Sequence, residues 1–219
     1  MMLKPLLIFV SLVLMTSCGL SARIEPYMDA QSTLGQNDSV VILGRKHQAN
    51  YQTESALISC VASNLSSGSN AIPIYPTRSF EDLLFPWFEP SLAPLTIDDF
   101  VVLLENDLVF NSIENSGVKY IVWLDGSTDR NDSGGTISCS AGPGGAGCIG
   151  LAWWEDGSRY DATVWDIDTM DSAGTIYVDY TGRSMIPALI IPIPLIIRTQ
   201  NEACTGISDQ LGSFFSQNY

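Results

Sequence analysis

Two short runs are apolar at every position. Val40-Val41-Ile42-Leu43 is closed by Gly44, and Tyr120-Ile121-Val122-Trp123-Leu124 is stopped by Asp125-Gly126. A strand of this kind has to be covered on both faces, since alternation with polar residues would mark one wet face. The sequence around the runs supplies helices to do the covering. Thr53 is a candidate N-cap with Glu54 in the first turn, and Leu57, Ile58, Val61, Ala62 and Leu65 fall on one helical face ending near Gly68. A second helix is predicted after Thr96, with Asp98 and Asp99 beside its positive end. Its inward face is Ile97, Phe100, Val101, Leu104 and Leu108, and it ends near Gly117. Ala71 to Tyr75 reads as a further strand, which Pro73 confines to an edge or a bulge.

Beyond Leu124 the period changes to two. Tyr160–Asp166 and Thr175–Thr181 alternate and read as a hairpin, with Asp168–Gly174 as the turn and Ile176, Val178 and Tyr180 on one face. A last helix is expected from about Asn201 to Gln217, burying Ile207, Leu211, Phe214 and Phe215. Strands that alternate with helices and then pair antiparallel predict an α/β (α+β) fold: a mixed sheet with helices on its faces. Between hairpin and helix, Met185–Ile197 is apolar and carries Pro187, Pro192 and Pro194. Thirteen residues with three prolines cannot span a membrane as a helix. The first reading is an extended segment buried at the sheet edge; the second is an exposed apolar ridge for a partner.

The N-terminus carries an address. Lys4 precedes an apolar run from Leu6 to Met15, as in a secretory signal, and the run is too short for the ~20 residues of a spanning helix. Met15-Thr16-Ser17-Cys18 resembles the lipobox of bacterial lipoproteins, which implies removal of residues 1–17 as signal peptide and lipidation of Cys18. A soluble secretory signal is the rival reading. Gly19 after the cysteine, by the same resemblance, implies the outer membrane, with the domain facing the periplasm. Residues 18–38 are then expected as a polar tether and 39–219 as a single domain.

Loss of Lys4 leaves 9 basic against 24 acidic side chains, a net charge of −15. That excess argues against nucleic acid as a partner. Four cysteines remain, an even number that in an exported chain suggests two disulfides with three possible connectivities. Cys139 and Cys148 flank a glycine-rich loop suited to a local bridge, which pairs Cys60 with Cys204.

Several motifs suggest chemistry. Gly142, Gly144 and Gly147 match G-x-G-x-x-G, but no buried strand leads in and no helix leads out. Asp129, Asn131, Ser133 and Gly134 resemble half a calcium loop, yet Ser140 stands where the bidentate glutamate belongs, so a turn between strands is expected instead. Zinc is disfavoured by the lack of a CxxC pair and the single histidine. No metal and no cofactor are therefore expected. Arg45, Lys46 and His47 leave the end of the first strand while Asp125 and Ser127 leave another, so these residues with Glu54 form a candidate anion site or ionic network. Trp153-Trp154-Glu155-Asp156 is read as core or hairpin aromatics rather than a sugar platform.

The stretches Leu43-Gly44-Arg45-Lys46-His47, Tyr51-Gln52-Thr53-Glu54, Pro86-Trp87-Phe88-Glu89-Pro90, Trp123-Leu124-Asp125-Gly126-Ser127-Thr128 and Ala162-Thr163-Val164-Trp165-Asp166 resemble a group of uncharacterised proteobacterial lipoproteins. The order of elements is similar to the periplasmic α/β domain of envelope-assembly lipoproteins of the curli-secretion subunit and peptidoglycan-synthase activator type. The resemblance names no activity; with no nucleophile beside a base, no paired carboxylates in a cleft and no metal cluster in the sequence, and with a polar tether to give reach, the chain is expected to be a non-catalytic binding or assembly module, held to the membrane by its N-terminal lipid and meeting an envelope protein. The alternative is a periplasmic hydrolase or small-anion-binding protein with its site near Arg45, His47 and Asp125.

Overall fold

The computed structural model describes residues 20–48, 51–89, 92–143 and 145–216. The signal segment and Cys18 lie outside the described residues. Among the described residues, eight strands and five helices follow in chain order: β1 (Leu20–Met28), β2 (Ser39–Gly44), β3 (Lys46–Gln48), β4 (Tyr51–Gln52), α1 (Ser55–Leu65), β5 (Ile74–Tyr75), α2 (Thr77–Leu83), α3 (Ile97–Leu104), α4 (Asp107–Ser116), β6 (Val118–Gly142), β7 (Gly145–Asp166), β8 (Asp171–Pro192) and α5 (Thr199–Phe215). Six strands form one sheet in the order β1-β8-β7-β6-β2-β5, and β3 pairs with β4. The sheet is mixed. β2 runs parallel to β5 and β6, with Val41 opposite Tyr75 and Ile121, whereas β6, β7 and β8 follow one another through tight connections that only antiparallel neighbours allow.

Contacts divide the chain into two compact units. One contains Arg23–Ser127, Arg159–Asp179 and Gln200–Tyr219; the other contains Thr128–Ser158 and Tyr180–Thr199 with the chain up to Ala22. β6, β7 and β8 have 25, 22 and 22 residues, several times the usual strand length, and contribute to both.

In the larger unit the two apolar runs are central strands. Val40 to Leu43 and Tyr120 to Leu124 are at most 4% exposed. Alternation sends Val41, Leu43, Ile121 and Trp123 to one face, where Phe80, Phe88 and Phe100 from the α2–α3 region pack with Trp165. The opposite face takes Tyr120, whose ring meets Phe214 and Phe215 of α5 at 6.0 and 5.3 Å. Leu57, Val61 and Leu65 of α1 are buried as the periodicity predicts. Cys60 of α1 is bonded to Cys204 of α5.

Local differences have identifiable causes. Thr53 does not cap α1; Glu54 holds that position, because the Thr53 hydroxyl donates to the Leu124 carbonyl. The helix predicted after Thr96 is two. Thr96 forms a capping box with Asp99, α3 stops at Leu104, and the Asn106 side chain accepts from Leu108 N–H to start α4. This restart turns Leu108 outward, 69% exposed. Residues expected in a tether are structured: Leu20–Met28 form an edge strand beside β8, and Ser32 and Leu34 are buried. Pairing there occupies backbone groups that β8 would otherwise present at an open edge.

In the smaller unit, β6 and β7 form a hairpin closed by the Cys139–Cys148 bridge. Gly135 and Gly150 lie at φ 94° and 141°, each with space for a side chain taken by a carbonyl of the facing strand, Leu151 and Thr136 respectively. Only glycine fits such an approach. Asp129, Asn131 and Ser133 lie within β6 and not in a turn, since the strand continues to Gly142.

Candidate functional site

The proposed ionic cluster is assembled in part. Arg45 is 7% exposed and follows β2 directly. Its guanidinium carbon lies 3.8 Å from the Trp123 ring centroid and 5.1 Å from that of Trp165. Its N–H groups donate to the carbonyls of Pro94 and Leu95, the latter at 3.0 Å. Burial lowers its pKa to about 10 while the Asp125 carboxylate pulls the other way, so the charge persists at neutral pH. The backbone is tied as well: Arg45 N–H donates to Leu124 and its carbonyl accepts from Thr53.

The other members divide. Glu54 accepts from the Tyr160 hydroxyl at 3.0 Å, and Gln200 donates to the same hydroxyl at 3.4 Å. Asp125 faces Asp161, whose carboxyl is held above the usual range by desolvation and then by the Asp125 charge. Lys46 lies opposite Gln52 in the β3–β4 pair, and Ser127 is half-buried on β6. His47 is in β3, and its side chain lies outside the described residues. Arg45 thus spends two of its donors on backbone carbonyls and its face on two indoles, a structural use of the charge. Among the described residues no three side chains are grouped to hold a metal ion.

A cleft elsewhere in the larger unit is lined by Asp38, Phe110, Ile113, Lys119 and Asp168. Its lysine is engaged, 2.7 Å from Asp168 and 3.7 Å from Asp38.

The smaller unit carries the largest departure from the sequence reading. The proline-rich segment is a strand, but it is not buried. Leu189, Ile190, Ile191 and Ile193 are 80%, 72%, 70% and 59% exposed. The prolines end strand pairing at Pro192, and the chain turns back so that Met185 and Leu195 exchange both backbone hydrogen bonds at 2.9 and 2.8 Å. That turn holds Ile190 at φ 88°, where a β-branched residue costs about 1–3 kcal/mol. β7 adds Ile149 and Leu151, 69% and 45% exposed.

This apolar end has a sharp chemical border. No charged residue occurs from 133 to 154 or from 184 to 197. At the border Arg183 reaches Glu155 at 3.4 Å and lies 4.9 Å from the Trp153 ring centroid; Arg130 reaches Asp156 at 3.2 Å and lies 5.4 Å from that of Trp154. Odd and even positions of β7 point to opposite faces, so each face has one arginine, one tryptophan and one acid. Reading Trp153-Trp154-Glu155-Asp156 as hairpin aromatics did not reveal this border. The signal was the missing charge over two separate stretches, which only strand pairing brings together.

No protein-family model matches the sequence, and no curated protein matches it. Among solved structures, the chain is similar to the PelC dodecamer from Paraburkholderia phytofirmans, at 12% identity and a TM-score of 0.39 over 91% of this chain and 100% of that one. A variant PelC dodecamer from the same organism gives 10% identity, the same TM-score and the same coverage. A likeness this loose carries no argument about function.

Proposed function

We propose that this chain is a lipid-anchored envelope protein, held by Cys18 in the outer membrane with its folded part in the periplasm, and that it acts as a non-catalytic binding module. The observation that supports this reading is the uncharged, exposed apolar end built from Ile149, Leu151, Leu189, Ile190, Ile191 and Ile193. A contiguous apolar surface of this kind on an otherwise acidic chain is a contact surface by its chemistry. The Arg45 network adds support, because two of its N–H groups are committed to backbone carbonyls and its face to two indoles.

Replacement of Cys18 by alanine tests the anchor: lipoprotein processing stops and the chain leaves the membrane fraction. An unchanged mature mass and membrane fraction would remove the anchor from the proposal. Cross-linking in cells tests the surface, with Ile191→Asp expected to abolish association while the fold persists. If His47→Ala or Asp125→Ala instead removes a hydrolytic activity without changing thermal stability, the protein is an enzyme.

A further inference from the structure

We infer that the uncharged end of the smaller unit inserts into one leaflet of a lipid bilayer, the leaflet that holds the Cys18 acyl chains. This inference rests on the binding-module reading and names the partner of the same surface. Four observations converge on it.

First, the chemistry is banded in the order found across a membrane interface. Along β7, aliphatic Ile149 and Leu151 come first, then Trp153 and Trp154, then Glu155 and Asp156. β8 runs the same way from charge to aliphatic side chains, from Arg183 to Ile190, without an aromatic band of its own, and the strands are in register: the Ile190 Cα lies 3.9 Å from where a side chain on Gly147 would start, and Arg183 meets Glu155. Tryptophans at the head-group level with aliphatic residues below are the arrangement that a bilayer selects. A protein partner places no such demand on both faces of a sheet.

Second, the backbone of the exposed turn suits a solvent that cannot hydrogen-bond. Pro187, Pro192 and Pro194 have no N–H to satisfy, and the N–H groups of Met185, Ile193 and Leu195 donate to Leu195, Pro187 and Met185 within the turn. Lipid penalises every unsatisfied donor, so such a turn enters hydrocarbon at less cost than an open loop.

Third, β1 starts level with the border. β1 and β8 run antiparallel, since Asp29 N–H donates to the Ala173 carbonyl, Gly174 abuts Tyr27 and Met28, and Arg23 lies within electrostatic reach of Tyr177. Continuing that register brings Leu20 level with residues 180–182, next to Arg183, where charge ends. Only Gly19 separates Leu20 from Cys18, two Cα steps or at most about 7 Å of chain. An acyl chain on Cys18 and the apolar turn would therefore enter the same leaflet.

Fourth, Ile190 stays at a backbone angle that glycine would adopt without strain. Retaining a large apolar side chain there suits a tip that needs it for insertion. No helix among the described residues is long and apolar enough to cross a membrane, and the inference requires none.

Flotation of the full chain carrying Cys18→Ser, and hence lacking acyl chains, with phosphatidylcholine vesicles tests insertion apart from the anchor. The expected result is vesicle binding that Ile191→Asp/Ile193→Asp weakens at least tenfold with an unchanged circular dichroism spectrum. Should the double variant unfold, hydrogen exchange on the Cys18→Ser chain replaces it: residues 189–196 gain protection when vesicles are added. A chain that stays unbound, or a folded variant that floats equally well, overturns the inference. If vesicles leave the chain unbound while Ile191→Asp still abolishes a cross-link to an envelope protein in cells, the surface is a protein interface and the binding-module reading survives. If both assays are negative, that reading fails too.

Discussion

The Arg45 guanidinium lies 3.8 Å from the Trp123 ring centroid, and both residues are buried against the same aromatic cluster. Phe88 stacks on Trp123 with centroids 6.1 Å apart, and Trp165 meets it edge-on at 5.7 Å. The charge is thus roofed by an aromatic core and closed by the carbonyls of Pro94 and Leu95. Arg45→Ala is predicted to cost about 2–4 kcal/mol in urea unfolding, because the buried Pro94 carbonyl and the half-buried Leu95 carbonyl lose their donors and the ring loses its cation. Arg45→Lys should cost about 1–2 kcal/mol, since an ammonium keeps the charge but not the planar fork. A change below about 0.5 kcal/mol in both variants would refute a structural role.

Acidic repulsion is predicted at Asp125 and Asp161. The Asp161 carboxyl is held above its ordinary range by desolvation and the Asp125 charge, so its ionised form is disfavoured in the folded state. A folded pKa above the unfolded one means stability that is present at low pH and lost as pH rises through the folded pKa. Asp161→Asn should therefore raise the Tm at pH 7 by about 1–2 °C, with the gain vanishing below about pH 4. Equal Tm differences at both pH values would contradict this.

The two bridges are predicted to contribute unequally. Cys60 and Cys204 are 144 residues apart, Cys139 and Cys148 only 9. In the chain-entropy model, removal of the long bridge by paired serine substitution costs roughly 5 kcal/mol and removal of the short one roughly 2–3 kcal/mol. Non-reducing peptide mapping checks the pairing, and denaturant melts of the two double variants check the order. Reversed magnitudes would point to strain or residual structure in the unfolded chain.

Ile190→Gly is predicted to stabilise the fold by about 1 kcal/mol, relief of the positive φ outweighing the entropy that glycine adds to the unfolded chain. Thermal melts decide it; a destabilised variant would show that the isoleucine side chain packs in the fold.

Gly150→Ala tests the opposite case. A Cβ there would lie 2.1 Å from the Thr136 carbonyl oxygen at φ 141°, so the β6–β7 pairing must shift. A loss of about 2 kcal/mol or more is expected in the unfolding free energy. A neutral effect would mean that the hairpin is loosely paired.

What the sequence determined by itself was local and periodic. Val40–Leu43 and Tyr120–Leu124 named the central strands, Leu57, Val61 and Leu65 named the buried stripe of α1, and Ile176, Val178 and Tyr180 named a buried hairpin face; in each case spacing alone fixes which side chains share a surface. The cysteine pairing was legible because a glycine-rich loop made one bridge local. Tertiary structure decided the rest. Leu20–Met28 became a strand because β8 offered an edge, a partner far along the chain, where Asp29 pairs with Ala173, that no local pattern announces. Leu189–Ile193 were exposed although their hydropathy predicted burial, because the described segments of the smaller unit are strands with no helix over them. Arg45 went inward because Trp123, Trp165 and two distant carbonyls together outweigh its desolvation. The charge-free end arose from two uncharged stretches, 133–154 and 184–197, which are unremarkable apart and form one surface only when β7 and β8 pair, since strand register rather than sequence proximity brings their side chains side by side.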